Sequence, residues 1–300
     1  MNPIIKPIMT QVSQILLGKE VQIQLSLCCL IARGHLLLED VPGVGKTTLA
    51  NSLAQSLGLS YQRVQFTSDM LPADLLGVSI FNQESHEFTF HKGPVFSQLV
   101  LGDEINRASP KTQSALLEAM AEGQVSIDGK TYELPQPFFV IATQNPTEHS
   151  GTFELPDSQL DRFLMRVTIG YPEVDAEKAM LQQAATVKQQ SPVIDLNSLV
   201  SMQQQAQQVA ASEAVIDYIL RLVGETRRNN HYVQALSPRA TRALLAASKA
   251  WAFIEGRDYV LPEDVQAVLP SVCEHRLRGG NHGHSQSLSE QLLHSVNPLA

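Results

Sequence analysis

Short apolar runs alternate with longer amphipathic stretches through the first half of the chain. The run His35-Leu36-Leu37-Leu38-Glu39 is too short for a helix and has the unbroken apolar character of a buried strand. Residues 61–66, 99–103, 138–143 and 163–169 read as strands too, and helical patterns separate several of them. Helix signals run over residues 10–33, stopped by Gly34, and over residues 46–57, closed by Gly58. Strands alternating with helices predict a parallel sheet in an α/β layer fold. Two segments alternate as hairpins instead. Residues 78–90 place Val78, Ile80, Phe88 and Phe90 around a polar centre, and residues 124–134 place Val125 and Ile127 before the turn pair Asp128-Gly129.

After Tyr171-Pro172 the pattern changes, with no convincing strand and helical stretches starting near Glu173, Asp195, Ser212, Ser237 and Pro262. The prediction is two domains: residues 1–172 form an α/β core carrying two hairpin inserts (78–90 and 124–134), and residues 173–300 form an all-helical unit. Its Gln-rich part (Gln182, Gln183, Gln189, Gln190, Gln203, Gln204, Gln205, Gln207 and Gln208) reads as a solvated helix face or linker. The Gly-, His- and Ser-rich tail after Arg278 reads as partly loose.

Composition acts mainly by exclusion. At 300 residues, 43% hydrophobic and 17% charged, the chain is globular and long enough for a sizeable core. A formal net charge of -8 argues against a whole-surface attraction to nucleic acid or anionic lipid, though it leaves room for a local basic patch. No apolar run reaches the ~18 residues of a membrane-spanning helix. Met1 to Thr10 lacks a signal-peptide block, so a cytoplasmic location without membrane insertion is expected. Cys28, Cys29 and Cys273 lack the spacing of a disulfide frame or zinc site and read as buried small hydrophobes. His275, His282, His284 and His294 are irregularly spaced in a segment read as mobile, and no metal site is expected there.

The candidate chemistry begins after the first strand. Pro42, Gly43, Val44, Gly45, Lys46, Thr47 and Thr48 form a strand–loop–helix phosphate loop, with backbone amides turned inward and a helix N-terminus behind them. Lys46 would reach phosphate oxygens, and the Thr47 hydroxyl suits Mg²⁺. Asp40 occupies the position of the first Gly in the pattern G-x-x-x-x-G-K-[ST]. The strand 99–103 ends in Asp103 and Glu104. Asp103 is placed for the metal and Glu104 for orienting and deprotonating a water. Another strand fits between Lys46 and Asp103, and residues 61–66 supply it. Asn145, just past the strand 138–143, either bonds the lytic water or γ-phosphate or simply forms a turn before Pro146. Arg162, and Arg239 in the first turn of a helix, are phosphate partners or surface ion-pair partners.

These pieces, in this order, resemble the MoxR family of AAA+ ATPases. The resemblance runs over about residues 10 to 275, through LEDVPGVGKTTLA (38–50), QFTSDMLPADLLG (65–77), FHKGPVF (90–96), LGDEINRASPKTQSALLEAM (101–120), GQVSIDG (123–129), VIATQNP (140–146), LPDSQLDRF (155–163) and LSPRATRALL (236–245). It implies an αβα P-loop sandwich with five parallel strands in the order 5-1-4-3-2, followed by a small helical lid. Lys46 and Thr47 match Walker A, Asp103 and Glu104 match Walker B, Asn145 matches sensor 1 and Arg239 matches sensor 2. Arg162 falls where related proteins carry an arginine finger for the neighbouring subunit's nucleotide. Both hairpins match inserts shared with magnesium chelatase and replicative helicase motors. By resemblance the cofactors are ATP and Mg²⁺. The assembly implied is a homo-oligomer, a hexameric ring, and the partner a protein with a von Willebrand A domain. The activity implied is ATP hydrolysis driving chaperone-like remodelling or activation of a protein complex. The competing readings are a DNA- or RNA-associated motor, a metal-chelatase motor subunit, and an ATP-gated scaffold with little turnover.

Overall fold

The computed structural model describes residues 1–84, 86–145, 151–182, 191–279 and 286–298. The first two helices are α1 (Ile5–Ser13) and α2 (Glu20–Ile31). One helix over 10–33 was expected. The break falls at Gly18, which takes φ +69° in the left-handed region, and α1 starts early because Asn2 Oδ1 accepts the Ile4 N–H.

Then follow β1 (Leu36–Glu39), α3 (Lys46–Ser56), β2 (Tyr61–Gln65), α4 (Pro72–Leu76), β3 (Gly77–Asn82), β4 (Glu87–Lys92), β5 (Leu99–Asp103), α5 (Pro110–Glu122), β6 (Gln124–Ile127), β7 (Lys130–Glu133), β8 (Phe139–Gln144), α6 (Asp157–Leu160) and β9 (Met165–Val167). The five-stranded sheet has the order β2-β5-β8-β1-β9 and is parallel at every junction. With these five strands counted alone, this is the expected order 5-1-4-3-2. Alternate residues feed two apolar layers. Leu36, Leu38, Leu99, Leu101, Phe139 and Ile141 pack with α1, α2 and α3. Leu37, Val100, Val140 and Ala142 pack with Leu116, Leu117 and Met120 of α5.

Both hairpins are present, as β3–β4 and β6–β7. Asp128 and Gly129, at φ +52° and +74°, make the tight turn of the second. The Phe90 ring stacks on Tyr132 with centroids 4.2 Å apart, so the two hairpins touch through aromatic faces.

The remaining elements are α7 (Val174–Gln182), α8 (Leu196–Gln208), α9 (Glu213–Arg228), β10 (Tyr232–Gln234), α10 (Pro238–Ile254), α11 (Pro262–Cys273), β11 (Arg278–Gly279) and α12 (Leu288–Ser295). Two expectations are corrected here, one on strands and one on Gln203. β10 and β11 pair antiparallel, although no strand was expected after Pro172, because strands of three and two residues are too short to show a period. In the tail, Ser287 and Glu290 cap α12, which carries His294, while His282 and His284 lie outside the described residues. Gln203 is not solvated. It is buried and donates to the Leu30 carbonyl at 2.9 Å, tying α8 to the end of α2. Gln183, Gln189 and Gln190 lie outside the described residues.

The apolar layer on the α2 side continues through Leu199, Met202, Leu244, Ala247 and Leu269, so the helical lid and the first helices share one hydrophobic cluster. All three cysteines sit in it, reduced and buried, and burial pushes the Cys273 thiol up to about 12.

Candidate functional site

The loop from β1 to α3 turns on two glycines. Gly43 and Gly45 take φ +85° and +100°, which L side chains rarely adopt, and a Cβ on Gly45 would lie 2.8 Å from Leu16 Cδ1. Gly45 ends the loop as the residue before α3, and Lys46 is the first residue of that helix. The Lys46 ammonium lies over the loop, donating to the carbonyls of Asp40 and Val41 at 2.5 and 3.3 Å. Val44 is buried beneath, and Pro42, Gly43 and Thr48 are exposed. Thr47 is half-exposed in the first turn of α3.

Asp40, at the position of the missing first glycine, is only 7% exposed. Its Oδ1 accepts from the Val41 amide at 2.8 Å and its Oδ2 from the Gly170 amide at 2.5 Å. The acid therefore fastens the start of the loop to the chain leaving β9, a role glycine could not fill.

The two acids stand at the end of β5. Asp103 Oδ1 accepts from the Thr143 hydroxyl at 2.6 Å, and its Oδ2 accepts from Nη2 and Nε of Arg63 at 2.7 and 3.2 Å. Glu104 follows with φ +57°, held there as its amide donates to Thr143 Oγ1 at 2.9 Å. The Glu104 carboxylate accepts from Gln65 Nε2 at 2.9 Å and pairs with Arg107 at 2.9 Å.

β8 lies between β5 and β1, so Asn145, the residue after β8, emerges between the acids and the loop. Asn145 is 5% exposed. On the other side of β8, Gln144 Nε2 donates to Glu39 Oε1 at 2.6 Å, and Glu39 Oε2 accepts from Arg166 at 2.6 Å. A lateral series of side chains thus spans the C-terminal edge of the sheet: Arg63, Asp103 and Thr143 across β2, β5 and β8, then Gln144, Glu39 and Arg166 across β8, β1 and β9. Thr143, Gln144, Glu39, Arg63 and Gln65 were not singled out from the sequence. The only available signal was period two: Arg63 and Gln65 flank the buried Val64 on β2.

The loop, Asp103, Glu104 and Asn145 come together at this edge. Arg162 does not join them. It precedes β9 and so enters the sheet from the N-terminal edge, where its Nη1 donates to the Leu117 carbonyl of α5 at 2.6 Å. Arg239 is exposed in the first turn of α10, two residues after the N-cap Ser237. The donor set at the C-terminal edge is an ammonium, glycine amides, a threonine hydroxyl and a carboxylate. It fits a polyphosphate with Mg²⁺, an ion that takes one or two protein oxygens and fills its shell from phosphate and water.

The model of the ATPase family associated with various cellular activities (AAA) matches residues 35–165, and that of the AAA lid domain matches residues 225–295. The chain is 44% identical to the YeaC protein of Bacillus subtilis, over 92% of this chain and 88% of the relative. It is 40% identical to the protein named chaperone MoxR1 of Mycobacterium tuberculosis, over 89% of this chain and 74% of the relative. The chain belongs to the MoxR family of AAA+ ATPases. A crystal structure from Cytophaga hutchinsonii superposes on it with a TM-score of 0.89 at 37% identity, covering 98% of this chain and 94% of that one. The AAA+ core and helical lid of this MoxR-family chain are thus shared with a solved relative over nearly their whole length. Among the described residues no helix is long and apolar enough to cross a membrane.

Proposed function

We propose that this chain hydrolyses ATP to ADP and phosphate, at a site completed by a neighbouring copy, and uses the cycle for chaperone-like remodelling of a protein partner. The supporting observation is the direct bond between Thr143 and Asp103, at 2.6 Å. It fixes the strand that carries Asn145 against the strand that carries both acids, one strand away from the phosphate loop. Pro42 shapes the start of the loop, and Gly43 to Thr48 hold the phosphates through backbone amides, with Lys46 over the terminal groups. Mg²⁺, held by Thr47 and Asp103, would neutralise charge between the terminal phosphates. Glu104 orients and deprotonates the attacking water, and Asn145 fixes its position. Arg239 from the lid stabilises charge on the transferring phosphoryl group.

Arg162 acts on the neighbour's nucleotide. It enters the sheet from the edge opposite the loop, which disfavours a role at its own site. A ring assembly, taken as hexameric, follows from that reading. The remodelling role rests on the name of the mycobacterial relative, a chaperone. A partner with a von Willebrand A domain, and a cytoplasmic setting, are proposed on the family resemblance. The domain division at residues 172 and 173 is proposed on the change of pattern after Pro172.

The test is subunit mixing. Arg162→Ala retains ATP binding and loses about 10³-fold or more in turnover, the scale of a missing arginine finger. Glu104→Gln also binds ATP and loses about 10²- to 10⁴-fold. Mixed together, the two regain activity where a Glu104-bearing site faces an intact Arg162. A mixture that assembles normally yet stays as inactive as its parents rules out the trans assignment.

A further inference from the structure

Asp161 caps the end of α6, one residue before Arg162. Its Oδ1 accepts from Arg276 Nε at 2.7 Å and its Oδ2 from the Ser237 hydroxyl at 3.2 Å. Its own backbone carbonyl accepts from Arg276 Nη2 at 3.3 Å. Ser237 is the N-cap of α10, the helix whose first turn bears Arg239. Arg276 follows α11 and is 5% exposed. One carboxylate therefore joins the residue before Arg162, the start of the Arg239 helix and a buried guanidinium of the lid.

Arg276 does not need Asp161 to be held. It also donates to the carbonyls of Phe163, at 2.5 Å, of Leu164, at 3.1 Å, and of Val272. Its anchoring to the core is thus largely a matter of backbone oxygens. The carboxylate adds a link that backbone oxygens cannot supply: it takes one bond from each of two lid segments and fixes the peptide next to Arg162. The Arg162 side chain rests on α5, through Leu117, so this arginine is clamped from the lid at its backbone and from the core at its guanidinium.

We propose that Asp161 is a positioning residue for the arginine that acts on the neighbouring subunit, so that the orientation of the lid in one subunit sets the placement of Arg162 against the next. The inference rests on the reading of Arg162 as a trans-acting group. A displacement of about 1 Å in such a group costs on the order of 10²-fold in rate, so a link of this kind governs turnover without touching nucleotide.

The experiment uses Asp161→Asn in the full chain, with assembly checked by size exclusion and folding by thermal denaturation. Turnover falls about 100-fold while the affinity for a fluorescent ATP analogue stays within about threefold. The variant is then mixed separately with Glu104→Gln and with Arg162→Ala. If Asp161 serves the neighbour's site, the mixture with Glu104→Gln regains turnover and the mixture with Arg162→Ala does not, because both members of the latter lack a placed arginine. The reverse pattern overturns the proposal, since it puts the defect in the subunit's own site through Arg239. Turnover at the parent level, or no recovery in either mixture while Arg162→Ala with Glu104→Gln recovers, also overturns it. If that control pair itself fails to recover, the trans reading of Arg162 falls and this inference with it. Should Asp161→Asn fail to fold, Arg276→Lys, which keeps the charge and loses the planar fork, enters the same mixtures with the same expected pattern.

Discussion

The Arg63 guanidinium donates twice to Oδ2 of Asp103, at 2.7 and 3.2 Å, across the β2–β5 pair. The acid proposed to face Mg²⁺ therefore already carries a positive partner on one oxygen and a hydroxyl on the other. Arg63 is half-exposed, so the pair adds little to stability. Its consequence is electrostatic: Arg63 competes with the metal for the same carboxylate. Arg63→Gln lowers the Mg²⁺ concentration for half-maximal ATP turnover by about fivefold, the equivalent of ~1 kcal/mol for an exposed pair, and the effect shrinks at high salt. A midpoint that rises instead would mean that Arg63 orients Asp103 for the metal.

Asp40 carries a second expectation. Its carboxylate holds the Val41 and Gly170 amides at 2.8 and 2.5 Å from a buried position. Asp40→Gly restores the strict phosphate-loop pattern but leaves both amides without that acceptor. The variant loses about 2 kcal/mol in urea unfolding, the scale of charge-assisted hydrogen bonds, and binds nucleotide more weakly than the parent. Equal or improved stability on restoring the glycine would show that the acid is merely tolerated.

These two residues also show what the sequence could and could not convey. The five strands, the loop and the acids were legible because they depend on local signals: unbroken apolar runs, glycines before Lys46, and acids at a strand end. The roles of Asp40, Thr143 and Asp161 depend on partners far along the chain. Gly170 is 130 positions from Asp40, and Arg276 is 115 from Asp161, so no periodicity connects them. Gln203 misled for the same reason. Its neighbours Gln204 and Gln205 are exposed, and only the packing of α8 on α2 singles it out.

His35 gives the chain an acid-sensitive element. Its Nδ1 accepts from the Val140 amide at 3.0 Å and its Nε2 faces the Met120 carbonyl at 3.1 Å, a pattern that requires the neutral ring. Burial pulls its pKa down to about 4, against a slight upward pull from Met120. His275 is depressed in the same direction, by burial first and then by Arg276 and Arg166. Between the folded and the ordinary value, the unfolded chain binds more protons, so stability rises with pH across this window. The contribution is complete above about pH 6.5 and is lost as pH falls toward about 4. Gln at position 35 can accept and donate without titrating. His35→Gln reduces the stability lost between about pH 8 and about pH 5 by about 1–2 kcal/mol, with His275 supplying the remainder. Parallel stability curves for parent and variant over this range would refute the assignment.

Phe90 and Tyr132 provide the contact between the two inserted hairpins. Their rings are stacked at 4.2 Å and 27°, and Phe90 also meets Phe96 edge-on at 5.7 Å. Each hairpin is only a two-stranded ribbon, which is marginal alone; β6–β7 is seated on the core through Val125 and Ile127, and the Phe90–Tyr132 contact couples β3–β4 to it. Phe90→Ala and Tyr132→Ala should therefore be non-additive. A double-mutant cycle in denaturant unfolding gives a coupling of about 0.5–1.5 kcal/mol, the range for aromatic pairs. Hydrogen exchange adds a second reading, because either substitution raises exchange in the amides of both β3–β4 and β6–β7. If each variant loosens only its own hairpin and the cycle closes within about 0.3 kcal/mol, the two inserts are independent and respond separately to whatever moves the core.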